Sequence, residues 1–432
     1  MMRLILAFGA SLLFALLGTA QTTYIYCGKL FDGQQLKLRE ASTIIIDKDR
    51  VREVKDGYLT APEGVATIDL KDYTVMPGLI DMHVHLETET SKNRYVNKFK
   101  KNDADYAFES VRFAEITLLA GFTTVRDVGG SGVNISLRNA INRGVIRGPR
   151  VYTSGKSLAI TGGHADPTNG WKQDIMGDPM AREGVVNGVA EARKAVRQRY
   201  KNGADLIKIT ATGGVLSEAK DGTGPHFTEE EIRVIVETAR DLGMKVAAHA
   251  HGAEGMKRAV RAGVASIEHG TLMDEETMEL MIRNGTYLVP TITAGWSVAD
   301  SAKVPDYYPE VVRPKALEIG PKIQESFGRA YRKGVKIAFG TDAGVFQHGK
   351  NGLEFVYMAE MGMPALECLQ AATLEAAKLL GVDDQLGTLE PGKLADVVAV
   401  KINPTENIRA MLDVGFVMKA GTVYKLDGKP VH

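Results

Sequence analysis

Pro77-Gly78-Leu79-Ile80-Asp81-Met82-His83-Val84-His85 is a short apolar run that opens on a Pro-Gly break and ends on two histidines. A run of this length and composition reads as a buried β-strand. Side chains alternate across a strand, so His83 and His85 share one face. In a closed parallel barrel that face is the interior, and both imidazoles reach the mouth at the strand's C-terminal end. Alone, an H-x-H pair more often means two surface histidines or two satisfied ones. Recurrence of the pattern changes the reading.

Working outward, β-length runs fall at 78–83, 123–127, 150–153, 206–210, 246–249, 266–268, 287–290 and 337–340. Helical patterns separate them, for example at 229–242 and 253–262. Thr228 is a good N-cap for the first of these, with Glu229, Glu230 and Glu231 in its first turn. Eight strands alternating with helices over about 300 residues match the size of an α/β (β/α)8 TIM barrel. A doubly wound sheet is the structural rival. The strand count, and polar residues gathered at strand ends, favour the barrel.

Both ends of the chain read differently. Strand-rich runs at 24–26, 43–47 and 65–69 are broken by Asp32-Gly33 and Asp56-Gly57. Runs at 395–400, 416–418 and 421–424 follow a turn-rich stretch at 387–393. Neither end has strands enough for its own core, and together they make one small β-sandwich. The expected layout is 1–20 signal peptide, 21–76 first part of the sandwich, 77–382 barrel and 383–432 second part of the sandwich.

The leader reading rests on Arg3, the apolar stretch from Leu4 to Leu17, and the small residues Gly18-Thr19-Ala20. It predicts an exported protein, periplasmic or secreted, with no membrane attachment after cleavage; an uncleaved anchor is the alternative. Fifty-three basic and 53 acidic residues give a formal net charge of +0. No charge field is present to draw in nucleic acid. The only cysteines, Cys27 and Cys368, are expected to be free and buried.

Four further residues extend the H-x-H reading. Lys208 sits inside Leu206-Ile207-Lys208-Ile209-Thr210. A buried lysine is costly unless it is paired, snorkels or loses its charge. A neutral amine can react with carbon dioxide, and the resulting carbamate has two oxygens with which to bridge metals. Val246-Ala247-Ala248-His249-Ala250-His251-Gly252 offers His249 at the strand's end, with His251 as the competing ligand. Ser266-Ile267-Glu268-His269-Gly270 offers His269. Ile337 to Gly344 ends the eighth strand with Asp342, whose ordinary reading is a helix N-cap. Read separately each is weak. Read together they require six coincidences at one face of one barrel.

In these residues the chain resembles the amidohydrolase superfamily, in its binuclear form with a carboxylated lysine. The segments 158–171, 208–215 and 248–270 look like the branch of metal-dependent dipeptidases that cleave Xaa-Pro or Xaa-Arg. Within that branch the chain is similar to ochratoxin-degrading amidohydrolases. The resemblance implies two divalent metal ions, with zinc expected. His83, His85 and Asp342 would hold the first ion, and His249 and His269 the second. N6-carboxylated Lys208 and a hydroxide would bridge them. The bridging hydroxide would attack the carbonyl of a small peptide or N-acyl amino acid, ochratoxin A included, while Asp342 shuttles the proton. A C-terminal amino acid would leave. The rival activities are a cyclic-amide hydrolase, a deaminase, a phosphotriesterase or a binding barrel without catalysis. A homo-oligomer is expected by the same analogy.

His164, in Thr161-Gly162-Gly163-His164-Ala165-Asp166, is a candidate to donate to the carbonyl oxygen or to hold a substrate carboxylate; a loop-stabilising histidine is the plainer reading. His251 is a candidate substrate contact. Some relatives carry a tyrosine where this chain has His226-Phe227. The segment 291–325, with Trp296, Tyr307, Tyr308, Arg313 and Lys315, is either a lid with an aromatic wall and a basic carboxylate anchor or an oligomer contact.

Overall fold

A computed structural model describes residues 22–431, so the leader assigned to 1–20 lies outside the described residues. The N-terminal part forms β1 Thr22–Leu30, β2 Arg39–Asp47, β3 Arg50–Asp56 and β4 Ala66–Pro77. The centre supplies β5 Leu79–Val84, β6 Phe122–Asp127, β7 Arg150–Thr153, β8 Ile207–Thr210, β9 Val246–Gly252, β10 Ser266–Leu272 and β11 Tyr287–Val289. The C-terminal part adds β12 Val397–Val400, β13 Val414–Lys419, β14 Thr422–Leu426 and β15 Lys429–Pro430.

The two ends meet in one eight-stranded sheet, in the order β15-β14-β13-β12-β4-β1-β2-β3. Two packed sheets were expected, and the hydrogen bonding describes a single continuous one. The cause is the length of β4. It runs parallel to β1 from Ala66 to Val75, and its last residues, Thr74 to Pro77, run antiparallel to β12. Alternation then sorts the faces. Ile25, Ile44, Val75, Val397, Val51 and Phe416 share one apolar core. Their neighbours Met76, Val398, Val400 and Val417 belong instead to the large central core.

The centre is α/β, with all strand pairs parallel. β5, β6 and β7 form one sheet, and β8 to β11 form a second. Backbone bonds run between the two. Leu158 N donates to Lys208 O at 2.8 Å, and Thr210 N donates to Leu158 O at 3.0 Å. On the other side, Ala338 N donates to Leu288 O, Met82 N to Phe339 O and Asp342 N to His83 O, at 3.0, 2.9 and 2.7 Å. The run 337–340, expected as the eighth strand, carries only an isolated bridge from Ile337 to Leu288. It divides its bonds between two neighbours and builds a full ladder with neither.

The helix expected from Thr228 forms over Glu229–Asp241. The Thr228 hydroxyl accepts from Glu231 N, and the Glu231 carboxylate accepts from Thr228 N. The helix Ala253–Ala262 ends at Gly263 in the left-handed region, as its sequence asks. Cys27 and Cys368 are free and buried. Among the described residues no helix is long and apolar enough to cross a membrane.

Candidate metal centre

His83, His85, Lys208, His249, His269 and Asp342 all line one cavity of about 560 Å³, as do His164 and His251. His83 is next to last on β5 and His85 lies just past it, whereas Lys208 is the second residue of β8 and His269 the middle residue of β10. β9 continues through His249, expected to end it, and through His251 to Gly252. Asp342 follows the extended run 337–340.

Hydrogen bonding fixes how the first two histidines face the cavity. His83 Nδ1 lies 2.7 Å from Glu268 Oε2, and His85 Nδ1 lies 2.7 Å from Gly129 O. A carboxylate and a carbonyl only accept, so each Nδ1 carries the proton and each Nε2 presents a lone pair. Those nitrogens face the same oxygen: Asp342 Oδ1 is 3.6 Å from His83 Nε2 and 3.3 Å from His85 Nε2. Asp342 Oδ1 is buried and has no hydrogen-bond partner. Two lone pairs and an anionic oxygen repel one another unless a cation joins them. The site meets that need with a proton or accepts a metal ion. Burial, with Lys208 nearby, lowers the pKa of His83 to about 4, the neutral state a ligand needs. Burial also opposes charge on His85, but Asp342 outweighs it and the pKa is raised.

Among the described residues, His83, His269 and Asp342 form a donor group with ligand atoms within 4.8 Å of one another. This group draws from both of the expected metal sets. His269 Nδ1 lies 2.7 Å from Thr291 Oγ1, which leaves its Nε2 to the cavity. His249 stands outside the group. Its Nε2 is 3.0 Å from Gly213 O, and its ring stacks on His164 with centroids 4.3 Å apart. His251 Nδ1 lies 2.8 Å from Thr271 Oγ1. Lys208 is buried, and burial lowers its pKa to about 8 against the pull of Glu268 and Asp342. An amine at about 8 is partly neutral near physiological pH, as carbamate formation requires.

The backbone is strained here. His269, Thr291 and Asp342 have φ of 71°, 56° and 61°, in a region that costs a non-glycine residue roughly 1–2 kcal/mol. Neighbours hold them. Glu354 is fully buried and accepts from Ile292 N at 2.7 Å and Thr293 N at 2.8 Å, pinning the turn at Thr291.

His164 lies against His249 with its Nδ1 buried and unpaired. Burial, then His251, holds its pKa well below the usual value. A Cβ on Gly214 would sit 2.1 Å from that Nδ1, so only glycine leaves room for the ring. His226 Nδ1 accepts from His164 N at 3.4 Å.

The segment 291–325 adds an aliphatic wall: Ala294, Val298, Ile319 and Ile323 line the cavity, with Val215 beside them. Its expected basic anchor is engaged elsewhere. Lys315 Nζ donates to the carbonyls of Gly214, Ser217 and Ala219 at 3.1, 2.8 and 2.7 Å, and Arg313 Nε donates to Ala302 O at 3.0 Å. Trp296 Nε1 donates to Gln324, away from the cavity. Besides Lys208, the lysine and arginine side chains that line the cavity are Arg94, Lys98 and Lys156, which the sequence reading missed. No spacing marks them, since they approach only in the folded chain. Glu268, also missed, did carry a signal: it is a charged residue inside a buried strand, next to His269.

Residues 74–425 match the amidohydrolase family. An ochratoxinase of Aspergillus niger is 32% identical over 434 residues, covering 95% of this chain and 88% of its own length. Among solved structures, a Xaa-Pro dipeptidase with methionine bound in the active site is 54% identical, with a TM-score of 0.92 over 94% of this chain and 100% of that one. A prolidase complexed with N-methylphosphonate-L-proline is 35% identical, with a TM-score of 0.86 over 94% and 100%. By its sequence and by its architecture, the chain belongs to the amidohydrolase family and is a hydrolase.

Proposed function

We propose that this hydrolase cleaves the amide bond of dipeptides or N-acyl amino acids and releases a C-terminal amino acid. One observation carries the reading: the Nε2 atoms of His83 and His85 converge on the buried, unpaired carboxylate oxygen of Asp342, and all three residues line one cavity. His83, His85 and Asp342 are the proposed holders of one divalent ion, and His249 and His269 of a second, with N6-carboxylated Lys208 between them. Zinc suits imidazole and oxygen donors. When bound, such a pair supplies Lewis acidity toward the scissile carbonyl and lowers the pKa of water. Asp342 then takes the proton of the attacking water and returns it to the leaving amine. His164 is proposed to contact the carbonyl oxygen or the substrate carboxylate.

The cavity supports a substrate with two unlike ends. Arg94, Lys98 and Lys156, with Asp166, Glu183 and Glu218 on the same lining, suit a charged end that carries both a carboxylate and an amine, and the aliphatic wall of Val215, Ala294, Val298, Ile319 and Ile323 favours an apolar side chain. The names of the relatives fit this description: a Xaa-Pro dipeptidase, a prolidase complexed with N-methylphosphonate-L-proline, and an ochratoxinase. The proposed architecture is a (β/α)8 barrel over 77–382, with 337–340 as its eighth strand and 21–76 and 383–432 as its companion unit. With the leader at 1–20, the proposed place of action is outside the cytoplasm.

The test is a substrate panel offered to zinc-loaded protein: Xaa-Pro, Xaa-Met, Xaa-Phe and Xaa-Arg dipeptides, N-acyl amino acids and ochratoxin A. Amino acid release from apolar C-terminal members is expected. Silence across the panel, with two zinc ions bound per chain, removes the substrate reading. A second reading has one observation behind it. Among the described residues the tight donor group is His83, His269 and Asp342, which suits a single-metal member of the superfamily such as a deaminase. Full activity in Lys208→Ala would favour it.

A further inference from the structure

Below the cavity floor lies a buried chain of charge that no metal ligand accounts for. Glu268, on β10, and Arg126, on β6, are both buried, Glu268 completely. Arg126 Nη2 donates to Glu268 Oε1 at 2.7 Å. Arg126 Nε donates to Met82 O at 2.6 Å, and its Nη1 donates to Ser266 Oγ at 3.1 Å. The Ser266 hydroxyl donates to Glu268 Oε1. That leaves Glu268 Oε2 for one partner, His83 Nδ1, at 2.7 Å.

An ion pair in a protein interior often contributes little net stability, because desolvation offsets attraction. A hydrophobic pair of similar volume would serve a merely structural purpose as well. The arrangement has a different property. It fixes the orientation of one ring and the position of its proton. His83 is held with Nδ1 protonated and Nε2 facing Asp342, and a carboxylate on the far nitrogen raises the basicity of the near one. Arg126 keeps the carboxylate charged and, through the carbonyl of Met82, ties it to the strand that carries His83.

The structure assigns Glu268, backed by Arg126, as the positioning residue that sets the tautomer and donor strength of His83. The assignment rests on the reading of His83 as a metal ligand. Neither residue is among those that line the cavity, so the expected effect is on metal affinity first and on turnover only through it. Arg126 is a guanidinium making three directed bonds from three nitrogens, so lysine will not replace it.

The test is zinc affinity, by competition with a chromophoric chelator, in wild type, Glu268→Gln, Glu268→Asp and Arg126→Lys. Glu268→Gln keeps the shape and loses the charge. Glu268→Asp keeps the charge and draws it back from His83. Both are expected to weaken one zinc ion roughly 10–100-fold and leave the other near wild type. ¹⁵N-histidine spectra of the metal-free proteins are expected to show the Nδ1-protonated form of His83 in wild type and a tautomer mixture in Glu268→Gln. Wild-type zinc affinity and an unchanged tautomer in a folded Glu268→Gln would overturn the assignment. If Glu268→Gln fails to fold, Glu268→Asp decides by the same two readouts. Wild type that binds no zinc removes the metal reading itself, a distinct result.

Discussion

At Asp342 three features coincide: a left-handed backbone, an amide bonded to His83 O, and a buried oxygen facing two imidazoles. If this carboxylate moves the proton, Asp342→Asn will lower kcat about 10²–10⁴-fold, with the protein still folded. Steady-state kinetics alongside a zinc count separate lost proton transfer from lost metal. Lys208 makes a pH prediction. Burial brings its folded-state pKa down from 10.5 to about 8. Only the neutral amine reacts with carbon dioxide, and its population grows about tenfold per pH unit below the pKa. Loading metal-free protein with zinc and ¹³C-bicarbonate will therefore run an order of magnitude or more faster at pH 8.5 than at pH 6.5. The carbamate carbon signal follows it, and a pH-independent rate would rule out amine neutrality as the control. Gly214 makes a third. Gly214→Ala puts a methyl where the His164 ring lies, 2.1 Å from Nδ1. Activity is expected to fall at least tenfold with zinc content unchanged; activity at wild-type level would remove His164 from the reaction.

At the level of elements, the helix Ile292–Lys303 begins without a side-chain cap of its own. Glu354, distant in sequence, supplies one through Ile292 N and Thr293 N, and also accepts from the Thr293 hydroxyl at 2.6 Å. Burial pushes the Glu354 pKa up to about 8, against those three donors. The folded chain therefore holds this proton to higher pH than the unfolded one. Its contribution to stability is full below pH 4.5 and is lost as pH rises through about 8. Wild-type melting temperature will fall more steeply between pH 5 and pH 8 than that of Glu354→Gln, which has no charge to gain; parallel profiles would refute the buried titration. Glu354→Ala leaves two amides unpaired and will cost about 1–3 kcal/mol in urea unfolding. None of this is legible in sequence, because cap and helix lie some sixty residues apart. Local signals fared better. Thr228, with Glu229, Glu230 and Glu231 behind it, acts within a few residues and marks the start of its helix correctly. The residues that gather at the cavity stood out for the same reason: all but Lys208, which lies inside its run, follow directly on an apolar run or stand near its end. β3 was missed because Arg50-Val51-Arg52-Glu53-Val54-Lys55-Asp56 is mostly charged and shows little of its apolar face. The run 337–340 was legible as extended chain but not as a bridge-poor one, since its bonding depends on where two other strands end.

Across the whole molecule, the two ends of the chain are part of the catalytic unit's stability. Sequence alone suggested that they pair; the length of β4 decides how, by carrying one ladder from β1 to β12. Phe31, Met76, Val398, Val400, Val414 and Val417 then sit in the same apolar core as the strands of the site. Asp396 links the parts again. Its carboxylate lies 3.0 Å from Arg150 on β7, and its carbonyl accepts from Gly78 N at 2.8 Å, five residues before His83. Each fully buried valine contributes roughly 1.5–3 kcal/mol, against a total stability of only about 5–15 kcal/mol for a domain. Removing residues 414–432 takes away Val414 and Val417 and bares the edge of β12. That loss alone is comparable to the margin on which the fold stands. A chain ending at Asp413, though it keeps every proposed metal ligand, is therefore expected to be insoluble or to bind no zinc. The same holds for residues 77–382 expressed alone. Soluble expression and zinc per chain measure both. A truncated chain that stays soluble with its metal would mean that the eight-stranded sheet is an appendage. Failure of both, beside an intact full chain, would mean that the floor of the metal site is held in place partly from the chain's two ends.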